Sequence, residues 1–244
     1  MANEVTNSTS GEIVDRSLNA EVKRLESGFL AALPPHIPVE RFMRVVMTAI
    51  NGNPDLQKAD RLSLFDSAMK AAQDGLLPDG REGALVIFNT KDMAETKKQG
   101  RDVWIKKVQW MPMVAGIIKK ARQSGEISAL GARIVYAKEI EEGRFTHKVV
   151  DGVPKVDHDP ILWGERGSKV LVYSFVRFKD GTVDFEFMHA DDVAKVRAVS
   201  KAKFGPWFDW EEEMWKKTAI RRHAKRLPVS SELFDAVSRD DEMT

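Results

Sequence analysis

Val170-Leu171-Val172-Tyr173-Ser174-Phe175-Val176-Arg177-Phe178-Lys179-Asp180-Gly181-Thr182-Val183-Asp184-Phe185-Glu186-Phe187-Met188 reads as two strands folded back around a turn. The flanks are rich in Val and Phe, which suit a pleated, half-buried surface, and Lys179-Asp180-Gly181 supplies the turn. A hairpin fixes antiparallel pairing. On its C-terminal side, Ala190 to Ser200 and Asp209 to Leu227 read as helices. On its N-terminal side, Arg133 to Tyr136, Phe145 to Val150 and Val153 to Val156 read as short strands, the last two joined by Asp151-Gly152. Before them comes a helix from Met113 to Gln123. Ala84 to Phe88 and Val103 to Trp110 read as strands joined by a polar, Lys-rich loop.

The first third of the chain is helical. Ser63 with Asp66 three residues on forms a capping box, and Phe65, Ala68, Met69 and Ala72 form the buried face behind it. Gly75 is placed to stop that helix. Val39 to Ile50 carries Phe42, Val45, Val46 and Ala49 on one side. Ile13 to Ala32 carries the stripe Leu18, Val22, Leu25, Phe29 and ends at Leu33-Pro34-Pro35, since proline does not continue a helix. Met1 to Gly11 is polar and is expected to be disordered. Helices, two strands, a helix, four strands, then helices is the order of an α+β protein: a largely antiparallel β-sheet braced by helices, not an alternating βαβ fold.

Three parts follow: an N-terminal polar tail and helix at 1–33, a core at 34–228 and an acidic C-terminal tail at 229–244, with Glu232, Asp235, Asp240, Asp241 and Glu242 against Arg239 alone. The Leu18 stripe needs a surface to dock on, because so short a helix is unstable alone. Either its own domain covers it, or a neighbouring subunit does, which would make 1–33 an oligomerisation arm.

The formal net charge of +1 conceals segregation. Met214 to Pro228 holds six Lys or Arg and no acid. A second basic run, Arg101 to Arg133, carries Lys106, Lys107, Lys119, Lys120, Arg122 and Arg133 against Asp102 and Glu126. Two such runs with interleaved Trp point to a polyanion such as nucleic acid. The chain has no cysteine, which removes disulfides, thiol nucleophiles and Cys-bound zinc and fits a reducing, cytoplasmic setting. No transmembrane span or signal peptide is read, so no membrane partner is expected.

The helix at Met113 to Gln123 is two-faced, with Met113, Val114, Ile117, Ile118 and Ala121 opposite Lys119, Lys120, Arg122 and Gln123. Gly116 stands among the polar residues, where a close approach by a nucleic-acid strand or by another protein segment would explain it. In the last helix Lys217, Arg221, Arg222, Lys225 and Arg226 sweep about half the circumference, opposite Ile220, Ala224 and Leu227. Trp215 falls within that basic arc, either as a platform for a base or as a core residue under Arg stems. Trp207 and Trp210 are assigned to the core.

Catalytic signatures are weak. Gly75 to Gly80 has the spacing of a phosphate loop but is followed by Arg81-Glu82, without the phosphate lysine or the Mg²⁺-binding hydroxyl. Asp157-His158-Asp159 reads as a turn rather than a metal site. No nuclease constellation and no Ser-His-Asp arrangement is found, so neither an enzyme nor a cofactor is expected.

The ordered set of segments resembles the RecT family of phage and prophage recombinases. The matching pieces are Ser67 to Gly80; Met113 to Ile134 with Gly116-Ile117-Ile118, Ala121-Arg122 and Ser124-Gly125-Glu126-Ile127; His158-Asp159-Pro160 with Gly164; Val172-Tyr173-Ser174 with Asp180-Gly181; Ser200; Gly205-Pro206-Trp207; and Met214 to Arg222 closing on Lys225-Arg226-Leu227-Pro228. The match runs from about Pro34 to Pro228 in family order. It departs before the central helix, where Trp110-Met111-Pro112-Met113 stands in place of the Gly-Tyr-Lys common in relatives.

The resemblance implies an ATP-independent protein that binds single-stranded DNA and anneals it to a complementary strand through a duplex intermediate. It further implies a homo-oligomer, ring or helical filament, working beside a phage exonuclease, and a fold with a basic DNA-binding groove. Because annealing needs base edges left open, contacts are expected at phosphate and sugar. The expected DNA-binding residues are Lys119, Lys120, Arg122, Lys216, Lys217, Arg221, Arg222, Lys225 and Arg226, with Trp215, and next Arg197, Lys201 and Lys203. The Lys91 to Lys107 hairpin would close over the product. The competing reading is a passive single-strand coat that protects DNA without annealing it.

Overall fold

The computed structural model describes residues 17–199 and 206–227. The polar start, Ser200 with Lys201 and Lys203, and the acidic tail lie outside the described residues. In chain order the elements are α1 (Leu18–Arg24), α2 (Glu26–Ala32), α3 (Val39–Asn51), α4 (Pro54–Gln57), α5 (Arg61–Asp74), β1 (Gly83–Lys91), α6 (Met93–Gln99), β2 (Trp104–Pro112), α7 (Val114–Gln123), β3 (Ile127–Tyr136), α8 (Ala137–Glu141), β4 (Phe145–Val150), β5 (Val153–His158), β6 (Lys169–Phe178), β7 (Val183–His189), α9 (Ala190–Val199), α10 (Pro206–Asp209) and α11 (Glu211–Ala224). The class is α+β, and every strand pair is antiparallel: β1 with β2, β4 with β5, and a three-stranded sheet in the order β3-β6-β7.

A first apolar core joins α1 to α5 with the β1–β2 ribbon. The predicted N-terminal helix is two helices broken at Leu25. Its stripe is consumed inside the chain: Val22 and Phe29 are buried, Leu18 and Leu25 pack against the same core, and the Phe29 ring lies 5.3 Å from that of Phe42. The stripe therefore packs against its own domain.

Helix α5 starts earlier than predicted, because Asp60 rather than Ser63 caps it by accepting from Ser63 N. The Ser63 hydroxyl is thereby released to accept from Val108 N of β2. Gly75 ends the helix at φ 63°, a left-handed position that a side chain rarely adopts. Ser67 Oγ donates to Val108 O at 2.9 Å, and Trp110 Nε1 donates to the buried Asp74 carboxylate at 2.6 Å. These bonds seat β2 on α5. The Gly75–Gly80 loop leaves a helix C-terminus and enters a strand, the reverse of a phosphate cradle, which sits at a helix N-terminus.

The second core lies on one face of β3-β6-β7, under α7, α9 and α11. Strand alternation sends Leu130, Ala132, Ile134, Val172, Val176 and Met188 to this face. Val135, Leu171, Tyr173, Phe175, Phe185 and Phe187 go to the other, which the β4–β5 hairpin covers with Phe145 and Val156. Gly131 in β3 faces the Phe175 ring of β6, where a Cβ would meet Cζ at 2.9 Å. That glycine disguises the first half of β3 in the sequence, so the strand begins at Ile127 rather than Arg133.

His158 points inward. Its ring nitrogens lie 3.0 Å from Tyr173 Oη and 3.2 Å from the buried Glu139 carboxylate, which also accepts from Tyr136 N and Ile161 N. Asp159 turns away to Arg144 at 2.7 Å. Asp157 and His158 thus end strand β5 instead of forming the expected turn, and among the described residues no acid–histidine group is arranged to hold a metal.

Candidate nucleic-acid interface

Helix α7 runs from an uncapped N-terminus at Met113 and buries Gly116, Ile117 and Ala121. A Cβ on Gly116 would come within 2.1 Å of Glu82 O. The glycine is there for the β1 approach loop, and a nucleic-acid strand is not what it accommodates. The same loop takes the nearest cation: Lys119 Nζ donates to both Glu82 oxygens at 2.7 Å. Lys120 Nζ reaches the C-terminal end of α5 beside Gly75, where the helix dipole is negative. Arg122 is exposed at the last turn. The α7 cations thus work largely as internal ties.

Helix α11 has a charge order that suits its dipole, with Glu211, Glu212 and Glu213 in the first turn and Arg221, Arg222 and His223 in the last. Its buried face is Trp215, Ala219, Ile220, His223 and Ala224. Trp215 is therefore core, 7% exposed, with Lys169 Nζ 5.7 Å above its ring, and it offers no face to a base. Trp207 is core as expected. Trp210, also assigned to the core, is instead 68% exposed at the head of the helix. His223 lies between Ser174 Oγ at 3.1 Å and Asp184 at 3.4 Å, and burial holds its imidazole below the usual histidine range.

Acids of β7 reach the same helix, because alternation puts Asp184 and Glu186 on the α11 face. Arg222 and Arg226 each bind the buried Glu186 carboxylate at 2.7 Å, and Arg226 also donates to Phe185 O. At the other end Lys169 binds Glu211 and its hydrogen bond draws that carboxyl below the usual range, with Arg197 adding at 3.1 Å. Arg197 also stacks over Phe208 at 5.0 Å. Lys216 pairs with Glu213 at 2.7 Å on the surface. Of the cations that the sequence assigned to DNA, Arg197, Lys216, Arg222 and Arg226 are thus held in ion pairs.

Two clefts flank α11. One, of about 350 Å³, lies against α9 and gathers Lys195, Arg221, Arg222 and Lys225 around Asp192 and Thr218. The other, of about 460 Å³, lies against the first turn of α7 and is floored by Met113, Val114, Ile118 and Met214, with Lys216, Lys217 and Trp210 around it. On the helical wheel Lys217 and Arg221 are 40° apart and stand on the crest between the clefts. Sequence reading missed Lys195 and the exposure of Trp210. The first stands on a helix whose two acids and two cations cancel, and nothing in a periodicity reports which face of a helix terminus stays uncovered.

The Lys91–Lys107 segment is more ordered than a loop, since α6 forms its tip with Asp92 as cap. Lys91 pairs with Asp102 and Lys106 with Asp55, while Lys97, Lys98, Arg101 and the 60%-exposed Trp104 lie outward.

Comparison with known proteins joins this geometry to a family. The model of the RecT family matches residues 40–244. Protein RecT of Escherichia coli (strain K12) is 38% identical over 216 residues, covering 86% of this chain and 74% of the relative.

Proposed function

This chain belongs to the RecT family, and on that premise we propose that it binds single-stranded DNA across α11 and anneals it to a complementary strand. Family membership supports the recombination and annealing role. The observation that carries the binding reading is the cleft between α9 and α11, where Arg221 and Lys225 stand beside two cations held in ion pairs, Lys195 with Asp192 and Arg222 with Glu186. Phosphates neutralised there would hold a strand without reading its bases, as annealing requires. The exposed cations of the β1–α6–β2 arm are suited to closing over the paired product. The missing phosphate-loop lysine supports action without nucleotide. A ring or filament, needed to present a long strand continuously, would use surfaces other than the buried Leu18 stripe, and an exonuclease that exposes single strands is the natural companion activity. No helix among the described residues is long and apolar enough to cross a membrane.

The test is strand renaturation. Complementary oligonucleotides should pair faster with the protein than without it, and ATP with Mg²⁺ should add nothing beyond a non-hydrolysable analogue. Tight binding without acceleration would leave only a passive coat. DNA-dependent ATP hydrolysis by the pure protein would refute the nucleotide-independent mechanism.

A further inference from the structure

Trp210 and Trp215 stand five residues apart at the head of one helix and meet opposite surroundings. Trp215 is buried beneath the sheet, whereas Trp210 is 68% exposed. Trp210 borders the cleft of about 460 Å³ between α7 and α11. Its floor is apolar, with Met113, Val114, Ile118 and Met214, and its rim carries Lys216 and Lys217 with Glu213, which pairs with Lys216 at 2.7 Å. An indole, two polarisable thioethers and two ammonium groups suit a planar π-system carrying an anion on a short tether, which is a nucleotide.

We propose that this cleft holds one nucleobase of a bound single strand by its face, with Trp210 as the stacking platform and Lys216 and Lys217 at the flanking phosphates. The proposal rests on the single-strand-binding reading and adds a contact to the base itself. Stacking engages the base's face and leaves its pairing edge exposed, so it is compatible with annealing. It also gives the strand a register on α11 that phosphate contacts alone would not.

The experiment compares the full chain and its variants on a dye-labelled oligothymidine and on an abasic strand of equal length and charge. Wild type should prefer the oligothymidine. Trp210→Ala should lose most of that preference, roughly five- to hundredfold, while its affinity for the abasic strand and its salt slope stay unchanged. The Trp210 side chain makes no cap hydrogen bond, so this variant keeps the helix start. Trp210→Phe should recover part of the preference. Trp163→Ala, at an 88%-exposed tryptophan outside the cleft, should retain it in full.

A Trp210→Ala variant that keeps the preference, or that weakens both strands equally, overturns the proposal. So does one whose only change is a smaller assembly in sedimentation, which would make the cleft a contact between copies. Equal wild-type binding to both strands overturns this proposal alone, whereas no binding to either overturns the single-strand reading with it.

Discussion

On α7, Lys119 is held by both oxygens of Glu82 and Lys120 leans on the end of α5, so these cations fasten the helix to the β1–β2 lobe. On α11, Lys217, Arg221 and Lys225 line clefts open to solvent, while Arg222 and Arg226 grip Glu186. In the sequence the two helices are the same object, an apolar stripe opposite a basic one. The fold separates them by where each set stands: Glu82 and the end of α5 draw Lys119 and Lys120 into the junction with the β1–β2 lobe, whereas Lys217, Arg221 and Lys225 line clefts. A basic stripe measures what is available before folding, and the surface potential is what remains afterwards.

Trp215→Ala gives the largest effect that this contrast predicts. If Trp215 is core, its loss costs about 3–5 kcal/mol of stability, seen as a lower midpoint in denaturant. A stable Trp215→Ala protein with weak DNA binding would return it to the DNA surface and blur the distinction between the two faces of α11. Gly116→Ala comes next. A Cβ pressed within 2.1 Å of Glu82 O must displace backbone, and about 2–3 kcal/mol of destabilisation is expected in thermal unfolding. Unchanged stability together with weakened DNA binding would mean that α7 faces DNA at this point.

The outline of the fold was legible because its signals are local. Gly75 stops α5, Asp180-Gly181 turns β6 into β7, and the stripes of α3 and α7 fall where periodicity puts them. Short pieces were missed for a physical reason. Helix α8 has five residues, and although Glu139 accepts locally from Tyr136 N, its burial depends on His158 and the Ile161 amide, which lie far along the chain. The site was legible only as charge. Helical spacing groups Trp215 with Arg222 and Arg226, but it does not say that the sheet covers Trp215 or that β7 carries Asp184 and Glu186 to the arginines. That information lies in the β6–β7 register, where Glu186 sits opposite Ser174.

Glu186→Gln sharpens the comparison from the opposite side. Removing the charge that Arg222 and Arg226 share should cost about 1–3 kcal/mol, because both ion pairs weaken. It should also release two cations beside the α9 cleft. Single-strand affinity should then rise, and the slope of log K against log salt should steepen by up to about 1.4, at about 0.7 per added phosphate contact. Loss of stability with no change in slope would show that these arginines do not reach the strand.

The most direct measurement is the same salt slope on two double variants of the full chain. Lys217→Ala with Arg221→Ala removes the crest of α11, and Lys119→Ala with Lys120→Ala removes the cations of α7. The account predicts that the α11 pair flattens the slope by about 1.4 and weakens binding to all sequences alike, while the α7 pair changes it by less than about 0.7 and mainly lowers stability. Equal flattening by the two pairs, or more by the α7 pair, would contradict the assignment of the strand to α11.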